Sequence, residues 1–295
     1  MRRPALLLAF ALAAAMARAD SGLSAEIRLA EPALLPGEQV LAGVRLTNLS
    51  GQPVTFGAAP EWLTFFVTRP GGGPVSQTAP LDVSGEFTLE SATAGTKQWD
   101  IAPAFDLTEP GSYSVIAEVR VPSLGVTLVT PPQNVLVSPG MTLAEVTFGR
   151  PAPAGGTPEV RRYSLVQAQR RKDLRLFVRV SDESGARALS VTPIERLLSV
   201  SRPEHQLDRE SNLHILLQSG ARDFSYVQLN PDGEIVGRRK YVQIPGTRPR
   251  LAAGTNGVVT VAGGARVPQP TDLPPAAVAD PAQPAVGTEP PPPAP

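Results

Sequence analysis

Leu107-Thr108-Glu109-Pro110-Gly111-Ser112-Tyr113-Ser114-Val115 is the stretch that decides the fold of this 295-residue chain. Pro110-Gly111 marks a turn, because proline fixes one φ and glycine admits the backbone angles a turn requires. From Ser112 to Val121 the chain then alternates as a strand with one face on a core. Working towards the amino terminus, Leu63 to Val67, Glu86 to Leu89 and Trp99 to Ile101 have strand character, and Asn48 to Pro53 supplies a turn before Val54 to Phe56. Val40 to Leu46 places Val40, Ala42, Val44 and Leu46 on one face, and Ser24 to Leu29 does the same with Ala25, Ile27 and Leu29. Towards the carboxyl terminus, Val126 to Val129 and Asn134 to Val137 close the set. No helical period of comparable length interrupts these strands, so residues 20–138 are expected to form two packed sheets around one core.

The quoted stretch resembles the tyrosine corner of immunoglobulin-like sandwiches, whose Tyr hydroxyl bonds back to the backbone at the start of the penultimate strand. The resemblance implies structural roles for Gly111, Tyr113 and Val115, the last at the position that holds cysteine in antibody domains. The chain has no cysteine, so a core of this kind would be held by apolar packing. Leu35-Pro36-Gly37-Glu38-Gln39-Val40 and Val44-Arg45-Leu46-Thr47-Asn48-Leu49-Ser50-Gly51 resemble the opening strands of bacterial Ig-like accessory domains and of proteinase inhibitors with the same sandwich. For residues 24–138 the resemblance implies an accessory domain. The alternative it implies is protease inhibition through the loop from Pro70 to Pro80.

Residues 139–266 read as a second β domain. Arg202-Pro203 opens a segment that passes Asp208-Arg209-Glu210-Ser211-Asn212 into Leu213-His214-Ile215-Leu216-Leu217. Arg248-Pro249, 46 residues later, opens another that passes Gly254-Thr255-Asn256-Gly257 into Val258-Val259-Thr260-Val261. Leu174 to Val180, Asp223 to Leu229 and Ile235 to Ile244 supply further strands, the last two joined by Asn230-Pro231-Asp232-Gly233. This spacing predicts antiparallel meanders of the propeller-blade kind. The run from Pro203 to Gly233, with Asp208, Asn212, His214, Phe224 and Tyr226, resembles the repeats of sialidase-like propellers. Two units and a fragment fall short of a closed ring. The fold class expected is therefore all-β: an Ig-like β-sandwich, then a β domain of propeller-like antiparallel repeats, open or completed by association.

The ends of the chain carry different signals. Arg2 and Arg3 precede an apolar run from Ala5 to Met16 and then Ala17-Arg18-Ala19, the pattern of a cleaved secretory signal peptide over residues 1–19. Export to a periplasmic or extracellular location is expected, and no second long apolar run predicts a transmembrane segment. Residues 267–295 hold 11 prolines and few core-forming side chains, so a disordered Pro-rich tail is expected. The formal charge of zero conceals a division: residues 20–138 carry 5 basic and 12 acidic side chains, and residues 139–266 carry 19 and 12. Opposite charge on the two halves suggests contact between them, or an acidic partner for the basic half.

Candidate chemistry is sparse. His205 and His214 are the only histidines, and Asp208, Ser211 and His214 fall within one turn and strand, where a nucleophile, base and orienter cannot align. His214 reads as a structural histidine satisfied by backbone. Asp182, Glu183, Asp208, Glu210, Asp223, Asp232 and Glu234 sit mostly in turns, where local bonding explains them. No spacing calls for a metal or cofactor. The basic runs Arg161-Arg162, Arg170-Arg171-Lys172 and Arg238-Arg239-Lys240 remain, and the last two are the candidate binding residues for a protein or an anionic polysaccharide. Nucleic acid is not expected, since aromatic interleaving is missing. The function expected is an exported, non-enzymatic binding or accessory module. A divergent glycoside hydrolase-like domain is the enzymatic alternative, and it requires a concave pocket where carboxylates or arginines from different strands of residues 143–266 converge.

Overall fold

The computed structural model describes residues 21–69, 71–150, 159–171, 173–198 and 202–269. The expected signal peptide at 1–19, Lys172 and the tail beyond residue 269 lie outside the described residues. What is described is all-β, with two short 3-10 turns at Ala102–Ala104 and Pro122–Leu124.

The first ten strands are β1 (Leu23–Leu29), β2 (Ala33–Leu34), β3 (Leu41–Asn48), β4 (Val54–Phe56), β5 (Leu63–Thr68), β6 (Phe87–Leu89), β7 (Thr93–Asp100), β8 (Gly111–Val121), β9 (Val126–Val129) and β10 (Gln133–Val137). One sheet runs β1-β3-β7 and the other β2-β10-β8-β5, with β9 also paired to β8. Antiparallel register sets Ala25 opposite Leu46 and Ile27 opposite Val44 in the first, and Phe65 opposite Ala117 and Val67 opposite Val115 in the second. These pairs bring one apolar face of each sheet into a common core with Trp62, Ile101, Tyr113 and Val135. Each large aliphatic or aromatic side chain withdrawn from water there contributes about 1.5–3 kcal/mol. Two polar groups in this core find backbone partners: Trp62 Nε1 donates to the Val83 carbonyl at 2.7 Å, and Tyr113 Oη to that of Glu109 at 2.8 Å. Gly111 opens β8 opposite Val137, and Val115 is fully buried.

The chain continues as β11 (Met141–Arg150), β12 (Glu159–Arg170), β13 (Asp173–Asp182), β14 (Ala188–Arg196), β15 (Glu204–Leu207), β16 (Leu213–Gln218), β17 (Asp223–Leu229), β18 (Ile235–Val242), β19 (Arg250–Ala253), β20 (Val259–Ala262) and β21 (Ala265–Val267). Two antiparallel meanders result, β11-β12-β13-β14 and β15-β16-β17-β18, the second extended by β21. They face each other through Tyr163, Leu165, Leu176, Val178 and Val180 on one side and Leu213, Ile215, Leu217, Val227 and Leu229 on the other. Segments opened by Arg202-Pro203 and Arg248-Pro249 take different structures. The first builds the β15–β18 meander, while the second forms the β19-β20 hairpin and returns as β21. The hairpin packs Leu251 and Val261 over Leu216, Phe224, Tyr226 and Tyr241, which explains why Leu213 to Leu217 is buried at every position.

The outer face of β12 and β13 is covered as well. Val166, Ala168 and Phe177 form a small cluster with Leu35 from the segment between β2 and β3. Gly140 fits there because its φ of +68° suits glycine and a Cβ would stand 2.8 Å from the Gln167 carbonyl oxygen.

Candidate functional site

A cleft of about 320 Å³ opens where the inner faces of the two meanders part, lined by Glu195, Arg196, Ser219, Asp223, Lys240, Tyr241 and Val267. A register shift between Leu176 and Phe177 turns Glu195 into it. Pro193 pairs with Phe177 on the outer face, and the extra residue then brings Glu195, in place of Ile194, opposite the inward Leu176. From the facing sheet, Ser225 and Lys240 are cross-strand partners and so share one face. Ser225 Oγ donates to Glu195 Oε2 at 3.4 Å and lies 3.2 Å from Ser219 Oγ. Asp223 is placed by the loop before β17, where the Ser219 and Gly220 amides both donate to its carbonyl, at 2.9 and 3.2 Å. A Cβ at Gly220 would stand 2.4 Å from Asp223 Oδ2, so a side chain there would displace that carboxylate. Arg196 Nε stands 3.3 Å from Asp173 Oδ1 at the rim. Two cations and two carboxylates suit a ligand bearing hydroxyls and anionic groups.

The basic runs do not act as units. Across β18 the side chains alternate, so Lys240 faces the cleft while Arg239 turns to the hairpin side, its guanidinium 5.8 Å from the Tyr226 ring centre. Arg238 donates to the Ile194 carbonyl at 2.9 Å and ties the two meanders together. Arg170 is withdrawn from solvent: its side chain is 8% exposed and pairs with Glu38, 12% exposed, while its guanidinium lies 4.6 Å from the Phe177 ring centre. Glu38 also accepts the Leu35 amide at 2.8 Å. Burial nevertheless raises the Glu38 carboxyl above its ordinary range, outweighing the opposing pull of that amide and of Arg170. Arg171, at a left-handed φ of 47°, donates to the Ala30 carbonyl at 3.3 Å.

His214 is buried, with Nε2 3.0 Å from Asp208 Oδ2 and Nδ1 2.7 Å from Tyr226 Oη. The arrangement suits the tautomer in which Nε2–H donates to the carboxylate and Nδ1 accepts from tyrosine. Its partners are thus side chains, where backbone was expected. The reason is the turn before β16: Asp208 accepts the amides of Glu210 and Asn212, at 2.9 and 2.8 Å, and so folds back over the strand it precedes. Burial tends to raise the Asp208 carboxyl, but hydrogen bonds from His214, Asn212 and the backbone hold it below its ordinary range. Ser211 Oγ donates away to the Gly149 carbonyl at 3.0 Å, leaving the histidine without a nucleophile. In the loop from Pro70 to Pro80, the Val75 amide donates to Val67 and that of Thr78 to Ala104, both at 2.8 Å, while Gly71 to Gly73 stay exposed. Pro70 lies outside the described residues.

Glu195 and Arg196 escaped sequence reading because β14, interrupted by its bulge and Pro193, carries no clean alternation. Among the described residues there is no group of three or more His, Cys, Asp or Glu placed to hold a metal, and no helix long and apolar enough to cross a membrane. No family model matches the chain, and no curated protein matches it. Among solved structures, the sporulation control protein Spo0M from Bacillus subtilis is similar at a TM-score of 0.30 and 10% identity, over 75% of this chain and 91% of that one.

Proposed function

We propose that the chain is an exported, non-enzymatic binding module that recognises an anionic polysaccharide, with the cleft beside Lys240 as its binding surface. The observation that carries this reading is Lys240 facing an open concavity that has Arg196 at its rim. These cations pair with acidic groups, while Glu195 and Asp223 accept hydroxyl donors. The apolar cluster at Leu35 and the Glu38–Arg170 pair fix the two halves as one support for that surface. The export part of this reading rests on the signal-peptide pattern of residues 1–19. The test is binding of residues 20–295 to immobilised polygalacturonate and to neutral dextran. Retention of the acidic polymer alone, lost in Lys240→Ala/Arg196→Ala, supports the reading, whereas equal retention of both polymers or of the variant overturns it.

One observation favours a second reading, glycoside hydrolysis: Glu195 and Asp223 come from different strands and share the cleft. Sugar release from acidic polysaccharide, abolished in both Glu195→Gln and Asp223→Asn, would establish it in place of simple binding.

A further inference from the structure

On the outer face of the β11–β14 sheet, cross-strand register lines up Glu145, Ser164 and Arg179 in a single row, Ser164 standing opposite each of the others. The row borders a crevice of about 140 Å³ whose apolar walls are Leu35, Pro36 and Val166, where the first half of the chain meets the second. Glu145 is already answered: its carboxylate accepts from Ser164 Oγ at 3.0 Å and from Arg162 Nη1 at 3.5 Å. Arg179 is not. Its Nη2 donates to the Gly185 and Ala186 carbonyls at 2.9 and 3.4 Å, its Nε is buried without a partner, and Nη1 has no partner among the described residues. Nor does any carboxylate among the described residues form an ion pair with it. A half-buried guanidinium whose charge is unanswered, at the mouth of a crevice with apolar walls, is stabilised by an anion that brings an apolar stem with it.

We propose that this crevice binds the carboxylate of a small aliphatic acid, with the carboxylate on Arg179 Nη1 and the stem against Leu35, Pro36 and Val166. The volume suits a small guest, since a cavity of about 150 Å³ holds one benzene. A free short-chain carboxylate and a small α-amino acid share this chemistry. They differ in the ammonium group, for which Glu145 is the acceptor.

The test is a titration of residues 20–295 with propionate, L-alanine and propionamide, followed by amide NMR shifts at Gly140 and Ser164. Saturable shifts with propionate or alanine, none with propionamide, and at least tenfold weaker binding in Arg179→Gln are expected. Arg179→Lys, which keeps the charge, should retain part of the affinity and controls for loss of fold. A preference for alanine that Glu145→Gln removes identifies an amino acid as the source, and a preference for propionate identifies the free acid. No saturable shift with either ligand, equal binding of propionamide, or unchanged binding in both Arg179 variants overturns the proposal.

Discussion

Replacing Arg170 by methionine should destabilise the protein through Glu38 more than through any contact of its own. Both side chains are nearly enclosed, at 8% and 12% exposure, and the methionine keeps an apolar stem near Phe177. Removing one member of a buried pair strands the other, at a cost of about 3–5 kcal/mol. Glu38 can escape part of that cost by taking up a proton, since burial already holds its carboxyl above the ordinary range. We therefore expect a loss of about 3 kcal/mol at pH 7. A carboxyl whose native pKa is raised contributes stability below its unfolded value of about 4.3, and loses that contribution as pH rises through the native value. The penalty of Arg170→Met should accordingly be small at pH 4 and grow towards neutrality. Glu38→Gln keeps an acceptor for the Leu35 amide but strands Arg170, and should cost about 2–3 kcal/mol. The double variant buries no charge and should lose only about 1 kcal/mol, which gives a coupling of about 4–5 kcal/mol. Urea denaturation measures all four proteins. Trp62 and Trp99, both packed in the first core, report that half by fluorescence, and far-ultraviolet circular dichroism reports all strands. Additive single costs, with coupling below about 0.5 kcal/mol, would show that the pair contributes nothing and that the Leu35 cluster alone holds the contact.

Other perturbations test separate steps. Tyr113→Phe leaves the Glu109 carbonyl without its donor and should cost about 1 kcal/mol in urea denaturation, with little change in the strand spectrum. Gly140→Ala places a Cβ 2.8 Å from a backbone oxygen at a φ of +68°, and calorimetry should show a loss of about 1–3 kcal/mol. Asp208→Asn should flatten the acid limb of a plot of urea midpoint against pH. The depressed native carboxyl contributes stability above about pH 4, and that contribution is lost as pH falls through its native value, so parallel curves for variant and wild type would contradict this account.

The strands whose alternation shows most plainly in the sequence are those with one buried face and one wet one. β8 buries Tyr113, Val115, Ala117, Val119 and Val121 in strict alternation, and β1 buries Leu23, Ala25 and Ile27. β12 is buried at Tyr163, Ser164, Leu165 and Val166 in succession, because the facing meander covers one side and the first half of the chain covers the other. Burial on both faces removes the period that would have revealed it. β11 fails for the opposite reason, since most of its positions are partly or fully exposed. An acidic excess marks residues 20–138, and a basic excess marks residues 139–266. They gave no means of choosing Glu38 and Arg170 from the many candidates.

That choice belongs to register, and register also made the basic runs misleading. Arg238, Arg239 and Lys240 are consecutive, yet a period of two sends Lys240 into the cleft and Arg239 to the opposite face. Glu145, Ser164 and Arg179 are separated by 19 and 15 residues, yet they form one row, because β11, β12 and β13 are paired at those positions. In a sheet protein, adjacency along the chain disperses charge between two faces, whereas pairing across strands concentrates it on one. A single bulge can decide the outcome: without the extra residue beside Leu176, Glu195 would face outward and the cleft would lose one of its two carboxylates. Candidate sites in such a chain are therefore fixed by the strand pairing and its irregularities, which no local run of residues encodes.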